Sequence, residues 1–510
     1  MDFAASKHSD IAAFFANKTL LITGGTGFIG KLLVEKLLRA CPDIRKIYLV
    51  IRPKKGVSPQ KRLATLLAGK VFEGVINRRP EALNQVEALV GETSEPLLGL
   101  SEADLARIKL EVEIVIHSAA TVKFNEPLSV ATRVNIGSTI QMVALCRQMP
   151  KLCCLLHVST AYVNVTEPSD VIVEERVYHS KLSGEDLLEL IERLPPDALE
   201  AATPKLMLGF PNTYTITKKL AEQVVENSGL PAIIVRPSVV IATNKEPFPA
   251  WIDNMNGPTG FLLALGTGVL SVVRTKLSLK PDIVPADFVV NCIIAAVYRR
   301  ATNWFHLDTP VPVVHACMGH ERNLPMFDFK GRCEKLVAEF PPLNCIRYQG
   351  AAVVETEWEF RLRMFLFHRI PMELADLFVC RLAGKQIAIR KMYHRLVDSL
   401  EMLGFFFLQD WNFETTNSKQ LFDGLTETDQ YLFPMMSTEE FCWDEFFMIY
   451  LSSIKYFVLN ETLSQLEPAR RWRRKLAIIH YATLLLSYFV LAKVLAKTIE
   501  FVVEVDIPLL

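Results

Sequence analysis

A glycine-rich turn near the N-terminus constrains the fold of this chain more than any other feature. The apolar run 18–23 leads into the turn, and residues 31–38 continue from it as a helix. Glycines permit a tight turn close to phosphate oxygens, and a helix N-terminus offers unpaired N–H groups. The pattern predicts a dinucleotide pyrophosphate site, rather than a turn without a ligand, formed by Thr23, Gly24, Gly25, Thr26, Gly27, Phe28, Ile29 and Gly30.

Apolar runs alternate with helical patterns through the first part of the chain. Strands are predicted at 46–51, 86–90, 114–117, 152–159 and 232–236, and helices at 135–147 and 214–227. Continuous apolar strands that alternate with helices are typical of a parallel sheet buried on both faces. The fold class is therefore predicted to be α/β, with a doubly wound parallel sheet in a Rossmann domain.

The character of the chain changes after residue 350. The segments 355–367, 372–382 and 387–403 are helix-like and lack strand alternation. The stretch 320–350 contains Pro325, Pro341 and Pro342 and is predicted to be a linker. We therefore expect a nucleotide-binding domain over 1–330, a mainly helical domain over 351–460 and a separate C-terminal part over 470–510.

A strongly apolar segment near the C-terminus, 476–492, contains no Asp, Glu, Lys or Arg. At about 1.5 Å per residue it spans roughly 26 Å, which is marginal for crossing a bilayer. The preceding basic cluster 470–475, which includes Trp472, is typical of the cytoplasmic end of a membrane helix. We expect a membrane segment with the catalytic part in the cytosol; the alternative is a buried core helix.

Composition argues against several classes of function. The 510 residues carry a formal net charge of zero, so no global field draws the chain to nucleic acid. Ten cysteines occur without a CxxC pair, which argues against a disulfide framework and a zinc site, and no metal is expected. Residues 1–18 do not resemble a signal peptide. Cys153 and Cys154 lie in a predicted buried strand and are interpreted as core residues.

The residue that follows the second predicted strand indicates which dinucleotide is preferred. NAD sites usually place an acidic residue near this strand end to hold the ribose 2′-hydroxyl, but here the strand is followed by Arg52. A guanidinium can pair bidentately with a 2′-phosphate. Arg52 therefore favours NADP; the alternative is a solvated basic loop.

Tyr214 and Lys218 are four residues apart and lie on one face of a predicted helix. A nearby ammonium is expected to lower the pKa of the phenol from its usual value near 10. Ser159 and Thr160 follow the buried strand 152–159, at the sheet edge where ligands bind, and a hydroxyl there can hold a substrate carbonyl. The alternative is that these two hydroxyls cap the following loop.

Together these motifs resemble those of an extended short-chain dehydrogenase/reductase, and more narrowly those of eukaryotic, particularly insect, fatty acyl-CoA reductases. The matching passages include HSAATVKF at 117–124, HVSTAYVN at 157–164, NTYTITK at 212–218, EPFPAWIDN at 246–254, NGPTG at 256–260 and VPAD at 284–287. The region after about residue 355 resembles the C-terminal domain of that family. Gly91 and Glu92 depart from a Gly-Asp pair in many relatives, which weakens the assignment of Glu92 to the adenine.

The resemblance implies the reduction of a long-chain fatty acyl-CoA to a primary alcohol with two NADPH. Tyr214 would protonate the developing oxyanion, Lys218 would tune Tyr214 and hold the ribose, and Thr160 with Ser159 would bind the carbonyl oxygen. The resemblance also implies an inserted helix around 185–193. Further cofactor-binding residues are implied at Ala119, Ala120, Thr121, Asn135, Pro237, Ser238 and Val239.

Two other functions fit the same motifs. One is a steroid-type NADP-dependent alcohol dehydrogenase, and the other is a catalytically silent membrane-anchored protein that binds the cofactor. For the anchored protein, the endoplasmic reticulum is favoured over the peroxisome and the lipid droplet.

Two histidines and one apolar stretch carry further expectations. His117 and His157 each end an apolar strand and are interpreted as structural histidines. The apolar stretch 259–273 is too short and glycine-rich to span a bilayer and is hypothesised to shape an acyl tunnel.

Overall fold

The computed structural model describes residues 8–165, 171–255, 257–303, 311–348, 350–377, 393, 397, 404–406, 408–435 and 441–504. Most of the predicted helix 387–403 and Asn256 lie outside the described residues. The strands are β1 Thr19–Thr23, β2 Lys46–Ile51, β3 Val86–Val90, β4 Ile114–His117, β5 Cys154–Val158, β6 Ala232–Pro237, β7 Val239–Ile241, β8 Val272–Arg274, β9 Ile283–Pro285, β10 Val313–Ala316 and β11 Ala352–Val354.

The α-helices are α1 Asp10–Phe15, α2 Phe28–Ala40, α3 Pro59–Leu67, α4 Glu73–Arg78, α5 Glu102–Glu111, α6 Leu128–Thr132, α7 Ser138–Cys146, α8 Gly184–Arg193, α9 Pro196–Leu206, α10 Thr213–Glu226, α11 Pro258–Gly266, α12 Ala286–Ala301, α13 Met326–Glu339, α14 Glu357–Met364, α15 Ile370–Ala375, α16 Thr416–Asp423, α17 Glu427–Leu432, α18 Trp443–Ser453 and α19 Leu466–Glu504. The inserted helix predicted around 185–193 is confirmed as α8.

A seven-stranded parallel sheet forms the centre of the molecule, in the order β10-β6-β5-β4-β1-β2-β3. The chain order reverses direction between β1 and β4, where ligands bind in open α/β sheets. Thr23 lies opposite His117, which lies opposite His157, so three strand ends meet at the same edge. The predicted doubly wound parallel sheet is confirmed.

Helices cover both faces of this sheet. Leu20 and Ile22 of β1 face a core cluster that includes α2 and α12. Leu21 faces the opposite cluster, which includes α7 and α10. Because strand side chains alternate between faces, one apolar strand supplies both cores.

The stretch predicted to be a linker contains a helix, so that prediction is wrong. Pro325 precedes α13, and Pro341 follows its end. Proline is tolerated at a helix start and common just after a helix end, so these prolines delimit the helix. The ring of Phe329 on α13 meets that of Phe447 on α18 at 5.3 Å, edge to face.

The later part of the chain is mainly helical but is not detached from the sheet domain. Leu421 and Phe433 join the α2 and α12 side of the core, and Phe406 and Trp411 join the α7 and α10 side. The predicted domain boundaries at 330 and 351 stay predictions, because residues of the later part pack into the same two core clusters as the sheet.

The C-terminal helix α19 is longer than the predicted segment 476–492. Among the described residues, it alone is long and apolar enough to cross a membrane, with a mean hydropathy of 1.8 over its most apolar window. Ile478 is 70% exposed and Leu485 is 71% exposed. The alternative of a buried core helix is therefore wrong, and the helix suggests membrane association.

Candidate active site

The glycine turn between β1 and α2 is shaped so that only glycine fits at two positions. Gly24 has φ +74°, and a Cβ there would lie 2.7 Å from the carbonyl carbon of Ser118. A Cβ on Gly30 would lie 2.2 Å from the Gly24 oxygen. Gly27 is the N-cap of α2 and supplies no side-chain cap, so the first N–H groups of the helix stay available to an anion. The turn fits a dinucleotide pyrophosphate.

Trp251 and Asp253, which the sequence analysis did not assign to the site, contact residues of this turn and of α2. Phe28 stacks on Trp251 with the ring centroids 5.3 Å apart. Lys31 in the first turns of α2 forms an ion pair with Asp253. Trp251 and Asp253 belong to the EPFPAWIDN passage. The resemblance of that passage to the family was the sequence signal that could have identified them.

The loop after β4 is tied to both β1 and α10. The Ala119 N–H donates to Thr23 Oγ1 at 3.2 Å. The Thr121 N–H donates to Asn135 Oδ1 at 2.9 Å, and Asn135 Nδ2 donates to Thr217 Oγ1 at 2.9 Å. Asn135 therefore supports the loop that contains Ala120, and it links this loop to the helix of Tyr214.

Arg52 follows β2 with its side chain 58% exposed. Its Nη1 lies 3.1 Å from Glu92 Oε2 at the end of the neighbouring strand β3. The guanidinium thus lies at the carboxyl edge of the sheet, where a 2′-phosphate could replace or join this exposed carboxylate.

Tyr214 and Lys218 project from the first turns of α10, whose N-cap Asn212 accepts from the Thr215 N–H at 2.9 Å. Lys218 Nζ donates to the Val158 carbonyl at 2.6 Å and lies 3.5 Å from His157 Nε2. Burial lowers the pKa of Lys218 to about 8, and the charge of Glu222 opposes this shift.

Tyr214 keeps its proton more firmly than the sequence predicts. Burial raises its pKa to about 12, and a hydrogen bond with Thr160 opposes that rise. The pKa of this phenol therefore lies above its usual value near 10, and not below it as the sequence predicts.

The hydroxyls of Ser159 and Thr160 lie at the end of β5 and are both buried. Thr160 Oγ1 accepts from the Tyr162 N–H at 3.4 Å, so the residue caps the next turn in addition to contacting Tyr214. Ser159 Oγ has no hydrogen-bond partner among the described residues. A buried hydroxyl without a partner is costly and frequently functional, which makes Ser159 a candidate donor.

Pro237 and Ser238 connect β6 to β7, which begins at Val239. The Thr160 hydroxyl donates to the Pro237 carbonyl at 3.5 Å, while the Ser238 hydroxyl donates to Asp282 Oδ1. Asp282 is fully buried and was missed by the sequence analysis. It also accepts from the N–H groups of Met318 and Gly319 and from Asn323 Nδ2, at 3.1, 3.0 and 2.8 Å.

An aromatic wall formed by Phe124, Tyr162, Phe406 and Trp411 borders the phenol of Tyr214. The ring of Phe124 lies 5.5 Å from that of Tyr214 and 5.2 Å from that of Phe406. Tyr162 lies 4.7 Å from Phe406 and 5.2 Å from Trp411. The later part of the chain thus reaches the site, which no local motif indicated.

The two histidines lie beneath the site. His117 Nδ1 bonds the Thr23 hydroxyl at 2.8 Å, and burial lowers its pKa to about 3. Burial also lowers the pKa of His157 well below its usual value. Both rings stay neutral at physiological pH, as expected of structural histidines.

The described part of the chain contains no group of three or more His, Cys, Asp or Glu side chains that could hold a metal ion. Cys154 is buried in β5, and Cys153 beside it is partly buried. Burial raises the pKa of both thiols, so neither is a ready nucleophile.

Comparisons with known proteins agree on a single family. An NAD-binding family model described as male sterility protein matches residues 22–293, and a second model with the same description matches residues 367–461. Fatty acyl-CoA reductase 2 of Mus musculus is 33% identical over 93% of this chain and 91% of its own length. Fatty acyl-CoA reductase wat of Drosophila melanogaster is 33% identical over 94% of this chain and 92% of its own length.

Solved structures show the same fold at low identity. The terminal R domain from the myxalamid PKS-NRPS biosynthetic pathway superposes with a TM-score of 0.58 at 20% identity, covering 86% of this chain and 91% of its own. The reductase domain of a nonribosomal peptide synthetase from Mycobacterium tuberculosis gives a TM-score of 0.56 at 16% identity, covering 89% and 96%.

Proposed function

This chain belongs to the fatty acyl-CoA reductase family, and we propose that it reduces a long-chain acyl-CoA to the primary alcohol with two NADPH. The observation that carries the proposal is the contact of Tyr214 with Thr160, beside Lys218 and the end of β5, at the sheet edge next to the glycine turn. Acyl reduction needs a proton donor and oxyanion donors at one point, and this group of side chains supplies both.

The nicotinamide dinucleotide would be held by the chain's own backbone. The tight turn at Gly24 and Gly30, where a Cβ would collide with neighbouring backbone, and the uncapped start of α2 suit the pyrophosphate. Lys218 would hold the ribose, while Asn135 fixes the loop around Thr121. When bound, NADPH supplies the hydride for each of the two reductions.

The protein's side chains stabilise and then protonate the carbonyl oxygen of the substrate. Thr160 and Ser159 donate to the oxygen as negative charge develops on it. Tyr214, whose raised pKa of about 12 keeps the phenol protonated at neutral pH, passes its proton to this oxygen. In the first reduction coenzyme A leaves as the thiol, and in the second the aldehyde becomes the alcohol.

Arg52 supports NADPH over NADH. Its exposed guanidinium lies at the carboxyl end of β2. NAD sites usually carry an acidic residue at this position to bind the ribose 2′-hydroxyl, whereas this chain carries a cation. A 2′-phosphate would pair with it bidentately.

The exposed helix α19 supports attachment to a membrane with the sheet domain in the cytosol. The basic cluster 470–475 begins the helix, as expected for a cytoplasmic end. We assign the protein to the endoplasmic reticulum ahead of the peroxisome and the lipid droplet.

One assay tests the proposed reaction. The full chain, purified in detergent, is given palmitoyl-CoA and NADPH, and both the cofactor consumed and the coenzyme A released are counted. Two NADPH per coenzyme A, with hexadecanol as product, is the expected result. One cofactor per turnover with a sterol and none with the thioester would replace the proposal by an alcohol dehydrogenase, and binding without turnover would indicate a silent cofactor-binding protein.

A further inference from the structure

Helices α14 and α15 form one helical segment, and one side of it packs on the globular part. A π-helical turn at Phe365–Arg369 joins the two helices. Met364, His368 and Met372 recur every fourth residue and are buried. Nε2 of His368 lies 3.0 Å from the Ser271 hydroxyl. The packing of the segment on its neighbours therefore uses this side.

The same segment carries a second apolar stripe that is open to solvent. Its side chains also recur every fourth residue and are between 38% and 68% exposed; they are Trp358, Leu362, Leu366, Ile370 and Leu374, here called the exposed stripe. Phe365 and Phe367 beside them are exposed as well. An apolar surface of this extent is typical of a contact with a membrane or with another protein.

The exposed stripe is tied to the base of the exposed helix α19. Arg347 Nη1 donates to the Phe367 carbonyl at 2.8 Å. The next residue along the chain is Tyr348, whose ring lies 5.6 Å from that of His480 and 5.8 Å from that of Tyr481. These two residues lie near the start of the apolar run of α19. One short segment thus joins the stripe to the place where α19 becomes apolar.

We infer that the exposed stripe rests on the surface of a lipid bilayer, beside the point where α19 enters it. The inference rests on the proposed membrane attachment and adds a second contact to it. Because the stripe is tied to the start of the apolar run, insertion of α19 brings these side chains to the bilayer surface. A second copy of this chain or a soluble protein would have to fit between the stripe and the lipid. Trp, Phe and Leu side chains together are typical of helices at that interface.

The charges of the segment indicate which lipid the contact needs. Within 357–374 three arginines are balanced by three glutamates. Arg361 Nε donates to Glu357 Oε1 at 2.6 Å, and Arg363 Nε donates to Glu359 Oε1 at 3.0 Å. A segment without net charge gains little from anionic headgroups, so its binding depends on the apolar area that it buries. Phosphatidylcholine alone is therefore expected to support the contact.

Lipid photolabelling of the unmodified full chain tests this location. The protein is reconstituted into phosphatidylcholine vesicles that contain a phosphatidylcholine with a diazirine near the glycerol end of its acyl chain, and labelled residues are mapped by mass spectrometry. We expect labels within 357–374 as well as on α19. Labels on α19 without labels within 357–374, or labels of equal density on α5 and α8, would overturn the inference.

The same experiment separates this inference from the proposed insertion of α19. Labels within 357–374 and none on α19 would refute the insertion and leave the stripe as the membrane contact. A chain without labels in either place would refute both. Cross-links between the stripes of two copies of the chain, with no lipid label there, would assign the stripe to a protein contact instead.

A double substitution measures what the stripe contributes. Leu362→Gln combined with Leu366→Gln should lower labelling within 357–374, relative to α19, at least about tenfold, because two apolar side chains no longer enter the lipid. Both leucines are exposed, so the fold should be kept. The matched control, Leu110→Gln with Leu190→Gln at exposed positions of α5 and α8, should leave this ratio unchanged. The same ratio in both double variants would contradict the inference.

Discussion

At the phenol of Tyr214, burial and a hydrogen bond shift the pKa in opposite directions. Burial raises the pKa of Tyr214 and the Thr160 contact lowers it, with burial the larger effect. A phenol that stays protonated is the acid form that the reduction consumes. The proposed reduction therefore depends on where this weak acid lies and on which neighbouring donors share the developing charge.

Tyr214→Phe should lower kcat for palmitoyl-CoA at least about a hundredfold, because it removes the proton donor. NADPH binding, measured by fluorescence titration, should change little, since the phenyl ring keeps its contact with Phe124. Tyr431→Phe, which removes an exposed hydroxyl on α17, serves as the control. Retained activity would exclude Tyr214 as the acid.

Ser159→Ala should separate activity from stability. The buried Ser159 hydroxyl has no partner among the described side chains and backbone groups, so its removal should leave Tm unchanged or higher. Loss of one oxyanion donor should lower kcat about a hundredfold. In the comparison variant Ser238→Ala, the lost bond to Asp282 should instead lower Tm. Unchanged kcat in Ser159→Ala would show that this hydroxyl does not donate to the substrate.

Lys218 should give kcat/KM a descending limb near pH 8. Its pKa is lowered from 10.5 to about 8, so the ammonium that donates to Val158 is lost as the pH rises through that value. Lys218→Arg stays charged throughout, so its profile between pH 7 and 9.5 should be flatter, at lower activity. A limb of the same position in Lys218→Arg would assign it to another group.

Among the elements, a buried ion pair joins α10, the helix of Tyr214 and Lys218, to the sheet. Arg236 on β6 pairs with Glu222 on α10 through contacts of 2.8 and 2.6 Å, and both side chains are almost fully buried. Arg236 also lies 3.2 Å from His315 Nε2 on β10. Because Glu222 is one helical turn after Lys218, this pair sets the position of α10 against the strands.

Arg236→Met should lower the free energy of unfolding by about 3–5 kcal/mol, because it leaves the Glu222 carboxylate buried and uncompensated. The double variant Arg236→Met with Glu222→Met should recover much of that loss. Urea denaturation of the full chain in detergent, followed by circular dichroism, measures both. If the double variant is as unstable as the sum of its single changes, the pair does not act as a unit.

At the scale of the whole molecule, an exposed apolar helix stands next to a folded reductase domain. The side chains of Leu485 and Leu486 on α19 are solvent-exposed and lie outside the globular part. Water penalises such a surface, whereas a bilayer does not. Trp472 and Arg473 connect the helix base to the segment around Cys345 and Tyr348, so the helix is attached to the globular part at its base.

Replacing both Leu485 and Leu486 with Arg should release the protein from membranes, because each charge costs roughly 2.5–3.5 kcal/mol at the centre of a membrane helix. Alkaline carbonate extraction of microsomes should leave the unmodified chain and the double Leu→Ala control in the pellet. The double Arg variant should appear in the supernatant. Equal retention of all three chains would contradict insertion of α19.

The sequence alone determined the sheet, the glycine turn and the identity of the Tyr214–Lys218 pair, because these depend on local spacing and on apolar runs. Three features became visible in the tertiary structure alone: the raised pKa of Tyr214, the hydrogen bond from Ser238 to Asp282, and the contact of Phe406 with Phe124. Burial and contacts between residues hundreds of positions apart arise from packing, which leaves no local pattern. The proline-containing stretch 320–350 was misread for the same reason, because its prolines delimit α13 and do not mark a linker. The packing of Phe329 on α18, which the local sequence does not reveal, distinguishes the helix from a linker.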